Sequence, residues 1–338
     1  MNRLKYLFWI SIIGFVLYGC KPNRLKVDIS NIKKDIELVR FDKELLEMND
    51  TDTVNSILTL SNKYPEFFDL FTYKVIQIGG IGDEYFMDAM KLFIADTMIV
   101  NVKKMVDEEF SDFDNIEKQL DSAFKHFQYH FPDKEVPTIY TFISGFNQSV
   151  VTAENIIGIS LDKYLGRDCK YYLMLNSTPR YKILNMHKEK IVSDVAYAWG
   201  ITEFEHTHKS TTVLDNMIHH GKLMYFVDAL LPEMQDSLKI GYTSEQIDWC
   251  ERNEAQMWSQ LIEYKMLYSN KRMDIIRYIN NSPTTSGFPL ESPGRTGVWI
   301  GWQIVREYMN KFPETTLNGL MKNNDYQQIL NDSKYFPE

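Results

Sequence analysis

Residues 291–308, ESPGRTGVWIGWQIVREY, decide how the rest of the chain is read. Ser292-Pro293-Gly294 is a turn signal that holds the backbone in a loop. Arg295 and a second glycine, Gly297, follow, and an aromatic-rich helix is predicted from about Val298. On it Gly301, Ile304, Val305 and Tyr308 recur at i, i+3, i+4 and i+7, one face of a 3.6-residue repeat. A glycine on that inward face lets another backbone come close, and Arg295, just ahead of the helix, is placed to reach a carboxylate. Loop, arginine and tightly packed helix read as a cap, with Trp302 a candidate contact to whatever lies beneath.

Three helical stretches are candidates for the element beneath. Residues 188–199 end at Gly200. Residues 211–231 carry Leu214, Met217, Ile218, Gly221, Met224 and Leu231 along one face and stop at Pro232. Thr243 or Ser244 caps a helix predicted to run to about Tyr268. Ile247, Cys250, Glu251, Glu254, Met257, Trp258 and Leu261 share a stripe on it. Two acids on an apolar stripe need an explanation, because burying an unpaired carboxylate is costly or forces its protonation. A structural ion pair, a partner-binding cleft and acid–base catalysis all remain open. Catalysis ranks last, since no GxSxG, HExxH, Walker-type loop or zinc-like CxxC accompanies the acids. The specific expectation is a buried Glu254 paired with Arg295.

The histidines are weighed against zinc, which needs three or four converging ligands. His126 and His130 stand at i, i+4, but Phe124, Phe127 and Phe131 make their helix a packing helix, and the glutamate of a zinc motif is absent. His206 and His208 fall in a polar loop. His219 and His220 point different ways from one helix. These read as surface or packing histidines, with His220 kept as a candidate cleft residue.

The first half of the chain is mainly helical. A strand-like start at residues 36–41 precedes helical patterns around 54–64, 84–95, 97–108 and 115–131. Residues 137–144 and 155–161 are β-rich runs bounded by turn residues, with 150–152 as a possible third piece. Asp162 to Gly166 reads as a helical turn closing on glycine. Helices, then strands, then helices argue for an α+β domain, predominantly helical, with a small central sheet and long C-terminal helices.

The N-terminus reads as an address. Arg3 and Lys5 precede an apolar run ending in Leu17-Tyr18-Gly19-Cys20, a signal peptide with a lipobox. The run is short of the ~20 residues a transmembrane helix needs. Residues 1–19 are therefore the expected signal peptide, and 20–35 a tether lipidated on Cys20. Residues 36–338 form one domain, helical over 36–135, sheet over 136–165 and helical over 166–338. Two or more acyl chains, at ~0.8 kcal/mol per buried CH₂, anchor a protein durably. No acidic run of the sort that similar lipoproteins use for surface export follows Cys20, and that resemblance implies a periplasm-facing location. A net charge of −9 argues against nucleic acid as a partner. Cys169 and Cys250 are expected to stay unpaired.

The lipobox resembles that of the gliding-motility lipoprotein family GldB. So do LVRFDKELL with KYPEFF after it, FPDKEVPTIYTFIS, ISLDKYLG, MIHHGKLMYFVDALLP, IGYTSEQIDWCERNEAQMW, SPGRTGVWIGWQIVREYM and the closing NDSKYFP. The resemblance implies an envelope lipoprotein associated with the gliding and secretion apparatus of Bacteroidota, without implying a reaction. The family is itself similar to zinc peptidases whose HExxH helix is followed by a helix carrying a glutamate ligand before a glycine. Here His220 stands in that glutamate's place, and the preceding helix, IVSDVAYAW, offers Asp194 and Tyr197 but no histidine. The resemblance thus implies zincin-like ancestry retired from catalysis: no catalytic residues, no metal site, and no cofactor beyond lipid on Cys20. Its expected partners are the membrane and other envelope proteins. His220, Glu251, Glu254, Arg295 and Trp302 are the candidate residues of the old cleft. The competing readings are an envelope hydrolase with an unrecognised site and a peptide- or glycan-binding module.

Overall fold

A four-stranded mixed sheet divides two hydrophobic cores. The computed structural model describes residues 23–33, 35–48, 52–175, 178–205 and 211–338. The strands are β1 (Leu38–Val39), β2 (Thr138–Phe142), β3 (Val150–Ala153) and β4 (Ile156–Ser160), in the order β1-β2-β4-β3. β1 and β4 flank β2 in parallel, with Leu38 opposite Ile139 and Tyr140 opposite Gly158. β3 closes a hairpin onto β4, turning at Asn155, which takes a left-handed φ of 54°. Side chains alternate across the pleat. Tyr140, Phe142 and Ile156 face a phenylalanine-rich core with Phe41, Phe67, Phe68 and Phe71, while Ile139, Ile157 and Ile159 face the larger one.

The smaller core is closed by α1 (Phe41–Leu46), α2 (Thr53–Lys63), α3 (Pro65–Asp69) and α4 (Phe86–Ala95). A π-helical turn, Leu70–Val75, extends α3. On the other side lie α5 (Thr97–Glu109) and α6 (Asp114–His130), followed by the C-terminal helices. These are α7 (Lys170–Met174), α8 (Arg180–Ile183), α9 (Ile191–Glu203), α10 (Val213–Leu230), α11 (Asp236–Ile240), α12 (Ser244–Glu263) and α13 (Arg272–Ile279). α14 (Thr296–Lys311), α15 (Leu317–Lys322) and α16 (Tyr326–Ser333) complete the chain. The α+β, mainly helical class expected from sequence is the one observed.

The large core is built around α10. A capping box, Thr212 with Asp215, starts it, and fifteen of its eighteen residues are buried. A helix apolar on every side belongs in the middle of its neighbours. α14 crosses it at the predicted glycine. A Cβ built on Gly301 would overlap the Met217 carbonyl, and one on Gly221 would come within 2.8 Å of Trp302 N. The cap of the sequence reading is thus real, and α10 is what it covers.

Several boundaries differ from expectation. α9 runs through Gly200 to Glu203, because the missing Cβ there leaves room for the Phe226 ring rather than ending the helix. α12 stops at Glu263, and Lys265 turns left-handed at φ 55° just beyond it. Residues 23–26, within the segment expected to be a tether, make defined contacts with the body. Asn23 Nδ2 donates to Pro232 O at 3.0 Å, Arg24 donates to Met309 O and Pro313 O, and Lys26 pairs with Glu233. Leu25 packs on the large core. Cys169 and Cys250 are free and buried. Cys20 lies outside the described residues, among which no helix is long and apolar enough to cross a membrane.

Candidate functional site

A loop leaving β2 forms one wall of a polar hollow. Gly145 and Phe146 both take left-handed backbones, φ 67° and 70°. The fully buried Asp162, just after β4, holds that shape. Its carboxylate accepts the backbone N–H groups of Ser144 and Phe146 and is bonded by the Ser160 hydroxyl. Burial pushes the Asp162 carboxyl up, and the hydrogen bonds from Ser160, Phe146 and Ser144 oppose that rise. Lys163 Nζ donates to Phe146 O at 3.2 Å, and Asn147 ties the far end of the loop to Val75 O.

The floor comes from α9. Asp194 accepts from Tyr164 Oη at 3.0 Å and from Lys190 Nζ at 2.6 Å. Lys190 also donates to Ser193 Oγ, whose hydroxyl donates on to Leu238 O. One turn later Tyr197 Oη shares a 2.7 Å hydrogen bond with His220 Nδ1, its direction set by the imidazole tautomer. The Arg295 guanidinium lies 5.7 Å from the centre of the Tyr197 ring and donates to Ile240 O at 3.3 Å. Arg295 is the residue ahead of α14 and sits at φ 63°, a region that non-glycine residues enter at an energetic cost.

Between these walls is a hollow of about 490 Å³ lined by Lys163, Lys182, Lys190, Lys239 and Arg295, with Asp194 the single acid. A second hollow of about 390 Å³ adjoins it, sharing Tyr181, Asn185, Ile240, Asn281 and Arg295. The two form one groove with Arg295 at the junction.

The chain matches the family model of the gliding motility protein GldB over residues 22–337. It belongs to the GldB family. No curated protein and no solved structure matches it. The GldB-family assignment therefore rests on nearly the whole chain, in agreement with the ordered motifs seen in the sequence.

The residues singled out in this GldB-family sequence do not form one cleft. Arg295 lies in the groove, and His220 stands behind Tyr197. Trp302 is fully buried elsewhere, donating from Nε1 to Asp228 Oδ2 at 2.8 Å. The expected Glu254–Arg295 pair is absent. Glu254 is bonded instead by Tyr335 Oη at 2.6 Å and Trp299 Nε1 at 3.3 Å. Arg295, on a left-handed backbone, directs its side chain to Tyr197 and Ile240, and Glu254 is left beside α14 with neutral donors. Burial pushes the Glu254 carboxyl up, against those two bonds. Glu251 is exposed.

The core ion cluster lies on residues that sequence reasoning missed. Asp228, in the apolar α10, accepts from Lys239, from Trp302 and from Arg306 through Nε and Nη2. Arg306 also bonds Asp236 and stacks 3.8 Å over the Trp302 ring. A lone acid amid apolar residues at 223–231 was the available signal. Lys163 and Lys182 were missed as well. Lys163 sits in the turn after β4 and Lys182 on the short α8, and only the fold brings both to the hollow that Arg295 lines. Among the described residues no group of three His, Cys, Asp or Glu side chains could hold a metal ion. His206 and His208 lie outside those residues. Burial, helped by neighbouring His126, pushes His130 down to about 4.

Proposed function

We propose that the chain is a non-catalytic lipoprotein of the cell envelope, held on an acylated Cys20 and facing the periplasm. It serves a gliding- or secretion-type machine through contacts with other envelope proteins. The family match supports the setting. One observation supports the absence of catalysis: the acid on the floor of the groove is already committed. A general base needs an oxygen within reach of the proton it removes, and both Asp194 oxygens are engaged by Tyr164 and Lys190. On the zinc-peptidase resemblance, Asp194, Tyr197 and His220 belong to the helices that would have carried a metal site. Here the latter two are bonded to each other. A catalytic zinc needs about three protein ligands and a base for its water, and no such set is gathered at these positions.

The test has two parts. Affinity capture of the full chain from membranes, read by mass spectrometry, should recover a reproducible set of envelope proteins. A hydrolase screen with elemental analysis should find no turnover and no stoichiometric zinc. One zinc per chain, lost on His220→Ala together with an activity, overturns the reading.

A second reading, a ligand-binding module, is favoured by the groove itself, whose two joined hollows are lined mainly by polar side chains. It is compatible with the first, since a machine component can dock a ligand without transforming it.

A further inference from the structure

The cations of the groove are unequally employed. Lys190 is neutralised by Asp194, and Lys239 by Asp228 with Asp236 nearby. Lys163, Lys182 and Arg295 have no carboxylate within ion-pair distance among the described residues. They line the same hollow. Lys163 is half-buried and donates only to a neutral carbonyl, Phe146 O. Burial disfavours the charged form of Lys163, the Asp162 carboxylate next to it in the chain favours that form without forming an ion pair, and Lys182 adds a smaller push against it. Like charges gathered in a partly desolvated hollow repel, and an anion between them removes that penalty.

Arg295 strengthens the case. A guanidinium carries five N–H donors in a planar fork. Ile240 O takes one at 3.3 Å, and the Tyr197 phenol interacts with the group from below. The aromatic ring and the carbonyl hold the fork in place, which limits the entropy lost when it grips a planar or tetrahedral oxyanion. The backbone strain at this residue, φ 63°, is the kind of feature that clusters at ligand sites. All this occurs in a chain of net charge −9, so the positive hollow is a local reversal of the overall field.

We propose that the groove binds an oxyanion, a carboxylate or phosphate group of an envelope ligand, with Arg295 and Lys163 as its cationic contacts and Lys182 at the rim. Asp162 is a positioning residue for this site, because it fixes the loop whose Phe146 carbonyl orients Lys163. The inference rests on reading the groove as a place of binding rather than reaction.

The test is titration calorimetry of the full chain in detergent with two probes, inorganic phosphate and an acetylated glutamate tripeptide amide, at low salt. Saturable binding of either probe is expected, weakening as salt rises. Arg295→Gln and Lys163→Gln should each weaken it by roughly tenfold or more, the loss expected for a charge-assisted bond. Lys182→Glu, at an exposed position, should weaken it without altering the thermal midpoint. Preference for one probe assigns the group as phosphate or carboxylate. If Arg295→Gln loses the fold, Lys163→Gln and Lys182→Glu decide. No saturable binding of either probe, or binding unchanged in the folded variants, overturns the site and leaves the non-catalytic reading standing. Hydrolysis of the peptide sinks that reading and leaves the anion site intact.

Discussion

Gly221 of α10 and Gly301 of α14 lie against each other where the two helices cross, backbone on backbone. A methyl group at either position collides with the opposing main chain rather than with a side chain that could swing away. Overpacking of a tight core commonly costs ~1–3 kcal/mol, and a clash with backbone belongs at or above the top of that range. Gly301→Ala is expected to destabilise the protein by about 3 kcal/mol or more in denaturant unfolding. Gly82, with open space around it, is the control, and Gly82→Ala should stay within about 0.5 kcal/mol of wild type. Equal effects at the two positions would refute the tight crossing.

Asp228 compensates Lys239 and Arg306 together, and it is itself almost fully buried. Removing one member of a buried charge cluster strands the others. Asp228→Ala should therefore cost about 3–5 kcal/mol. The Trp302 N–H loses its acceptor in the same variant, so tryptophan fluorescence of the folded state should also change. A stability loss under about 1 kcal/mol would show that the cluster is solvated.

Lys222 is a buried amine held by two carbonyls, Met321 O at 3.0 Å and Asn323 O at 2.7 Å. Burial pushes its pKa down to about 8 from 10.5. Between those values the unfolded chain holds a proton that the folded chain has released, so stability rises with pH across the window. The contribution is complete above 10.5 and is lost as pH falls through about 8. From about pH 7.5 to about pH 10 the gain should be of order 2 kcal/mol. Lys222→Met should remove that slope. An unaltered pH profile in the variant would mean the amine is not desolvated.

Cys20→Ala is expected to abolish incorporation of labelled palmitate and to release the protein from the washed membrane fraction. Wild-type protein on intact cells should resist added protease until the outer membrane is permeabilised. Palmitate label persisting in the variant would remove Cys20 as the acylation site. Loss of the protein on shaving intact cells would place it on the outer surface instead.

Much of the scaffold was legible because its signals are local. Thr243 announces its helix by a capping box, the strand runs carry β-branched residues between turns, and the glycine on α14 marked the crossing. The groove was not legible in this way. Lys163 follows β4, Lys182 lies on α8 and Arg295 precedes α14, so only long-range packing brings them together. The Glu254–Arg295 expectation failed because the arginine side chain turns to Tyr197 and Ile240 instead. Nothing in the letters Gly294-Arg295-Thr296-Gly297 reveals that the arginine, rather than either nearby glycine, takes the left-handed backbone. Asp228 was hidden differently, since its partners lie 11 and 78 residues further along the chain.

The clasp formed by Asn23, Arg24 and Lys26 has a mechanical consequence for the proposed attachment. With Cys20 as the lipid carrier, three residues at full stretch reach at most about 11 Å before the chain is gripped by the body. A bead on a long string samples every orientation and absorbs a pull as slack. A body gripped this close to its anchor has little slack to absorb one. On the proposed anchoring through Cys20, the edge holding Pro232, Met309 and Pro313 would stay near the bilayer, and a force applied elsewhere would pass to the lipid through the clasp. A body so held would offer its sides and far end to any partner, at a nearly constant height above the membrane.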